Sequence, residues 1–458
     1  MLFNSLGFIF GFLPVCLICY HFIVKQKSHK IYFLIASSAI FYGFWDYRFL
    51  ALLIFSIVIN WCAVRYFFKL KLKFLIAFCI SVNLLFISFF KYTNFFAEIF
   101  AQVFGYDYRH LNIVLPLGIS FFTFQQIAYL IDVKRGEATS YPFCNYALHI
   151  IFFPHLIAGP IVRHSNIIAQ FDQINRDQNL SEKFALGIIY FLLGLSKKVI
   201  LADNLSKISD LLYSQTIADQ ISFVASWIGT IAFGFQIYFD FSGYSDMAIG
   251  LALMFGFSFP QNFNSPYKAV SIKDFWRRWH ITLSNLIKDY LYIPLGGRKK
   301  VKAVIISMTL CGLWHGAGLG YVIWGFLHGL AISINNLSQS KNIKIPKPFS
   351  WLATYFFITL AWVFFRAADF KLASRIITEM FNFSEINKSF NPLFLSQENL
   401  TCLGIAALVA FFGIKTSEIA VSKFASRNSV AGAWSILFVF LTLYLDINDY
   451  KQFIYFVF

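Results

Sequence analysis

The chain reads as a succession of apolar runs separated by short polar clusters. Runs of about 18 to 25 apolar residues fit helices crossing a hydrocarbon layer of roughly 30 Å, whereas a membrane β-barrel would alternate over segments of about 10. The pattern predicts spans near residues 6–24, 31–45, 49–68, 74–90, 111–131, 145–161, 184–203, 221–239, 243–258, 301–336 (two helices), 350–365, 400–414 and 431–446. Several are short or broken, so the expected architecture is all-α, a polytopic membrane protein with about eleven crossings plus re-entrant and interfacial helices. The polar stretches 170–183, 338–348 and 375–398 are too short to hold a soluble core. Residues 1–458 are therefore expected to form a single membrane-embedded domain.

One segment has a different character. From Ser271 to Tyr290, Ile272, Trp276, Trp279, Leu283, Leu286, Ile287 and Tyr290 recur at helical spacing, with Lys273, Asp274, Arg277, Arg278, Ser284, Asn285 and Lys288 largely opposite. This predicts one amphipathic helix at the headgroup boundary. Its arginines suit lipid phosphates or the phosphates of a nucleotide-bearing donor such as coenzyme A.

Composition sharpens the class: 58% of residues are hydrophobic and 13% charged, which excludes a soluble domain of this length. The net charge of +16 would suit a nucleic-acid partner, but Lys and Arg cluster at span ends, as the positive-inside rule requires. By that rule Lys25 to Lys30, Lys69 to Lys73 and Lys134-Arg135 are cytoplasmic and the N-terminus lies outside. Arg277-Arg278 and Arg298 to Lys302 follow the first set. The first 24 residues lack a basic leader and a small-residue cleavage site, so they are expected to stay as a helix. Seven scattered cysteines lie mostly within apolar spans, and their one CxxC spacing, Cys16 to Cys19, falls inside an apolar run with no second pair, so they give no sign of a metal site.

Ionisable groups inside apolar runs mark function by default. His315 is one, flanked by Gly312, Gly316, Gly318 and Gly320, which permit close approach of backbones or a ligand. His280 lies on the amphipathic segment, and a helix-loop-helix would let the two meet. Between Gln236 and Asp246, the residues Asp240, Ser242, Tyr244 and Asp246 form a polar cluster that must face a protein interior or a watered cavity. Cys311, one helical turn before His315, permits an acyl-cysteine intermediate. His328 and His155 are weaker candidates, the first for packing or a tunnel wall, the second for a re-entrant entrance.

The runs Leu115 to Phe124, Phe153 to Arg163, Asp240 to Asp246, Phe275 to Ser284 and Leu313 to Gly316, together with the closing Phe453 to Phe456, resemble the membrane-bound O-acyltransferase family, in its bacterial polysaccharide O-acetylation branch. The resemblance implies helices around a funnel or tunnel, with His315 at the catalytic position and His280 at the second active-site position. Acetyl-coenzyme A would be the donor, with Arg277, Arg278, Trp279, Asn285 and Trp314 as its contacts. Asp240, Ser242, Tyr244, Asp246, His328 and Cys311 would line the tunnel. His280 would orient the thioester carbonyl or the developing oxyanion, and no metal would take part. The resemblance further implies an inner-membrane enzyme, a periplasmic or surface SGNH-type acetyltransferase as partner, and an acceptor such as peptidoglycan or an alginate-like polysaccharide. Two other functions fit the same residues: a transporter or flippase for a lipid-linked sugar, and D-alanyl transfer to teichoic acid.

Overall fold

The computed structural model describes every residue except 71–72, 177, 215–220, 298–299, 386–391, 422–427, 448–452 and 455–458. Of the expected basic clusters, Arg298 and Lys299 lie outside the described residues, as do Lys71 and Leu72 and the last part of the closing motif. Among the described residues the secondary structure is helical, with no strand. In chain order the helices are α1 (Gly7–Ile23), α2 (Lys27–Gly43), α3 (Tyr47–Leu70), α4 (Lys73–Phe104), α5 (Ile119–Arg135), α6 (Phe143–Ile151), α7 (Phe153–Leu156), α8 (His164–Phe171), α9 (Leu180–Tyr213) and α10 (Phe223–Met254). They continue with α11 (Ile272–Trp276), α12 (Ile281–Ile287), α13 (Val301–His315), α14 (Leu319–Ser340), α15 (Lys347–Arg366), α16 (Phe370–Met380), α17 (Gln397–Phe412), α18 (Thr416–Val421) and α19 (Asn428–Ile447).

Among the described residues, α3, α9, α15 and residues Phe74–Phe104 of α4 are long and apolar enough to cross a membrane, and α1, α13, α17 and Gly432–Leu445 are shorter apolar helices. Three expectations about boundaries are corrected. The spans 221–239 and 243–258 are one 32-residue helix, α10, because the polar cluster between them is absorbed by side-chain packing instead of a turn. Helix α5 begins only at Ile119, after Pro116 and a left-handed Gly118 (φ 72°). The stretch 145–161 is two short helices, α6 and α7, with Phe152 between them and Pro154 in the first turn of the second.

By its contacts the chain divides into two compact units, Met1–Leu192 with Ser245–Pro260 and Lys423–Asp449, and Leu193–Tyr244 with Gln261–Ser422 and Tyr450–Phe458. The first unit is held by interhelical amide bonds in an apolar setting, where such groups act as glue between helices. Asn60 of α3 donates to Gln126 of α5 at 2.9 Å, Asn83 of α4 donates to Asn60 at 2.7 Å, and Tyr146 of α6 donates to Gln126 at 3.1 Å. His155 is buried in this unit, its Nε2 donating to the His149 carbonyl at 2.8 Å, so it sits in the core and not at an open entrance.

In the second unit α13 and α14 form a hairpin whose backbones meet at glycines. A Cβ on Gly325 would strike the Met308 carbonyl and lie 3.0 Å from the Thr309 Cα, and one on Gly312 would strike the Tyr321 carbonyl and lie 3.1 Å from Gly325. These obstacles are backbone atoms, which cannot rotate away. Gly325→Leu is therefore expected to destabilise the protein by at least the 1–3 kcal/mol typical of overpacking, roughly, read as a lowered Tm of the detergent-solubilised protein. An unchanged Tm would show that the hairpin is looser than this.

Candidate active site

His315 is the last residue of α13, and the helix stops there because Gly316 adopts extended backbone (φ −158°, ψ 153°). Its ring lies in an aromatic cage, with centroids of Trp314, Trp324 and Phe365 at 4.8, 5.3 and 5.3 Å, and the residue is 4% exposed. The same Trp314 ring reaches His280 at 6.4 Å, so the structure does gather the two histidines around one indole.

His280 corrects the expectation of a continuous amphipathic helix. Helix α11 ends at Trp276 and α12 starts at Ile281, and His280 between them takes left-handed backbone (φ 41°, ψ 54°). A non-glycine residue there is strained and persists only where its surroundings hold it. Asn262 is the holder: its carbonyl accepts from Ile281 N at 2.9 Å, and its Oδ1 accepts from Thr282 N at 3.3 Å and from Thr282 Oγ1 at 2.9 Å.

That same Oδ1 lies 3.1 Å from His280 Nδ1. Because the Thr282 backbone N–H can only donate, the atom it meets is the amide oxygen, and His280 must carry its proton on Nδ1. Nε2 of a neutral His280 is then a lone pair, buried, with no hydrogen-bond partner among the described residues. As a lone pair it is able only to accept a hydrogen bond. Donation to an oxyanion, as expected from the sequence, would require a second proton on the ring.

Behind His280 the packing runs through Phe241 to Phe453. The Phe241 ring meets His280 edge-on at 4.6 Å, and Phe453 packs against Phe241 at 5.7 Å and Tyr244 at 4.7 Å. Asp240 fixes this arrangement: its Oδ2 accepts from Ile454 N at 2.7 Å and its Oδ1 pairs with Lys198 at 2.7 Å, while Lys198 also pairs with Asp203 at 2.8 Å. Asp240 thus sits in a buried ion cluster that holds Ile454, and the Tyr244 ring packs against Phe453. Ser242 is buried beside them, with no hydrogen-bond partner for its Oγ among the described residues. Asp246 is buried in the first unit.

A cavity of about 440 Å³ opens beside the α11–α12 break. Lys273, Arg277 and Lys288 give it positive charge, Asn285 and Asn336 supply amides, and Ser307 and Met308 form its wall on α13. Met308 is seven residues before His315, about 10 Å along the helix at 1.5 Å per residue. Trp276 also lines the cavity, and its Nε1 donates to His328 Nδ1 at 3.1 Å, which makes His328 part of the cavity's supporting shell.

Of the expected coenzyme contacts, Arg277 and Asn285 line this cavity. Arg278 is instead paired with Asp274 at 2.9 Å. Trp279 is fully buried, stacked on Phe275 at 5.4 Å and packed on Trp362 at 5.2 Å. Cys311 is buried on α13. Among the described residues no group of three or more His, Cys, Asp or Glu side chains is placed to hold a metal. Asn262, Lys273, Lys288 and Asn336 were not singled out from sequence; Asn262 carries no motif, while the lysines were visible on the polar face of the amphipathic segment.

Comparison with known proteins bears on this site. Residues 131–368 match the model of the membrane-bound O-acyltransferase family, a stretch that contains both histidines and the cavity. The chain is 39% identical over 427 residues to the peptidoglycan O-acetyltransferase of Helicobacter pylori, covering 83% of this chain and 80% of that protein. It is 36% identical to the probable alginate O-acetylase AlgI of Pseudomonas putida, with 100% of both chains covered. Similarity to the teichoic acid D-alanyltransferase of Streptococcus thermophilus is 29% over 245 residues, covering 50% of this chain and 59% of that one.

Proposed function

Since this chain belongs to the membrane-bound O-acyltransferase family and is an acyltransferase of a multi-pass membrane type, we propose that it takes acetyl from cytoplasmic acetyl-coenzyme A for O-acetylation of an extracytoplasmic polysaccharide. Peptidoglycan or an alginate-like polymer is the acceptor class, reached through a separate periplasmic or surface SGNH-type transferase, and the membrane is the inner one. About eleven crossings form one domain around a tunnel for the acyl group. The observation that carries this reading is the cationic cavity walled by the same helix that ends in His315.

In the proposed reaction the phosphates of the coenzyme lie against Lys273, Arg277 and Lys288, and the thioester reaches His315. His315 removes the proton of the acceptor hydroxyl as its oxygen attacks the thioester carbonyl carbon. The carbon–sulfur bond then breaks, and the imidazolium returns its proton to the leaving thiolate. His280, with its lone pair on Nε2, accepts a hydrogen bond from a donor group of the acceptor other than the reacting hydroxyl, whose single proton goes to His315, and so sets the acceptor's orientation. Transfer is direct, without an ester on Cys311.

Charge removal tests the donor site. Lys273→Met combined with Arg277→Gln is expected to raise KM for acetyl-coenzyme A by on the order of tenfold or more, since a hydrogen bond to a charged group contributes about 1.5–3 kcal/mol, while kcat falls much less. A KM equal to that of the unaltered enzyme would place the coenzyme elsewhere.

A further inference from the structure

A second basic cavity lies in the first unit, among α1, the start of α2, the segment from α8 to α9, and the turn after α10. Its volume is about 370 Å³, within the range of small-ligand sites. Lys30, Arg176 and Lys183 line it, and no carboxylate does among the described residues. Lys30 is the informative one. It is 7% exposed, its ammonium lies 4.6 Å over the Tyr20 ring, and among the described residues no carboxylate or carbonyl oxygen pairs with it.

The ammonium faces the cavity from a largely buried side chain, and one ring face balances only part of its charge. Asp172, in the same segment as Arg176, pairs with Lys27 at 2.7 Å. The walls are nonetheless built. Gln170 and Ser258 exchange backbone and amide hydrogen bonds of 3.0 and 2.8 Å, Asn175 donates to the Lys25 carbonyl at 2.7 Å, and Lys183 donates to the Gly256 carbonyl at 3.0 Å. A cavity held open by fixed contacts, with the ammonium of a largely buried lysine facing it, suits an anion.

We propose that this cavity binds a phosphate group, with Lys30 as its buried counter-charge and Arg176 and Lys183 as the outer clamp. Arginine supplies the planar fork and lysine the point charges that phosphate oxygens accept. The aromatic and aliphatic walls from Tyr20, Phe255 and Leu180 would cover the apolar body attached to that phosphate. The same chemistry is offered by a phospholipid headgroup and by a water-soluble phosphate, and two arms of one experiment separate them.

The purified full chain, in neutral detergent, is titrated with inorganic pyrophosphate in one arm and with phosphatidylglycerol in mixed micelles in the other, following Tm. The unaltered protein is expected to gain Tm in one arm, which names the source. Lys30→Met keeps the aliphatic stem over Tyr20 and removes the charge. It is expected to raise the half-saturating concentration at least tenfold without lowering the Tm of the ligand-free protein. Arg176→Gln, on an exposed turn, repeats the comparison where there is no core to disturb, with at least a threefold weakening. No Tm gain in either arm, or an equal response in both variants and the unaltered protein, would overturn the proposal. Neither result depends on acyl transfer.

Discussion

Replacing His315 by glutamine is expected to lower acetyl transfer by about 10²–10⁴-fold, the range that a positioned general base contributes. The side chain ends α13 within the Trp314, Trp324 and Phe365 cage, and glutamine fills similar volume without an atom able to take a proton near neutral pH. Folding should survive, so Tm and the amount of protein in the membrane stay close to those of the unaltered chain. In cells the readout is loss of O-acetyl esters from the surface or wall polymer. Because the proposed role lies in the chemical step, kcat should fall and KM for acetyl-coenzyme A should stay close to its original value.

Lys198→Met is expected to cause the largest loss of stability, on the order of 3–5 kcal/mol, the cost of leaving a buried charge uncompensated. Lys198 is 3% exposed and lies between Asp203 and Asp240. Without it two carboxylates face each other in an apolar setting. The damage should extend to activity, because Asp240 also holds Ile454 N, and the neighbouring Phe453 backs the Phe241 ring that packs on His280. Adding Asp240→Asn to Lys198→Met removes one of the stranded charges and keeps an oxygen for Ile454 N. The double variant is therefore expected to recover part of the Tm lost in the single one; an additive further loss would contradict the ion-cluster account.

The class of this protein was legible in its apolar runs, and both histidines stood out because imidazoles in such runs are rare. What periodicity concealed was the backbone at His280. Trp276, Trp279 and Leu283 keep helical spacing across the break, yet the chain turns through left-handed geometry there. The cause is Asn262, 18 residues upstream, whose amide oxygen has no local signature in sequence. Long-range pairing hid the role of Asp240 in the same way, since its cation lies on α9 and its backbone donor near the chain's end. Trp279 shows the converse: a tryptophan on a basic amphipathic segment suggests a boundary or a coenzyme contact, but the helix break turns it into the core against Phe275 and Trp362.

Two of the three boundary corrections come from what hydropathy does not register. A polar cluster within an apolar stretch suggests a turn when the groups have no visible partners, and in α10 those partners are supplied by other segments. Conversely Pro116 and Gly118 sit inside an apolar run that hydropathy alone extends, and they delay the start of α5.

In the proposed reaction His315 acts as the general base for direct transfer of acetyl from coenzyme A to a hydroxyl. The most direct test is transfer by the purified chain in proteoliposomes, with labelled acetyl-coenzyme A on one face and the acceptor transferase with its polysaccharide on the other. The expected result is label on the far side with the unaltered protein and label reduced at least a hundredfold with His315→Gln. Label crossing at an equal rate in both proteins, or polysaccharide acetylated without consumption of acetyl-coenzyme A, would contradict the account.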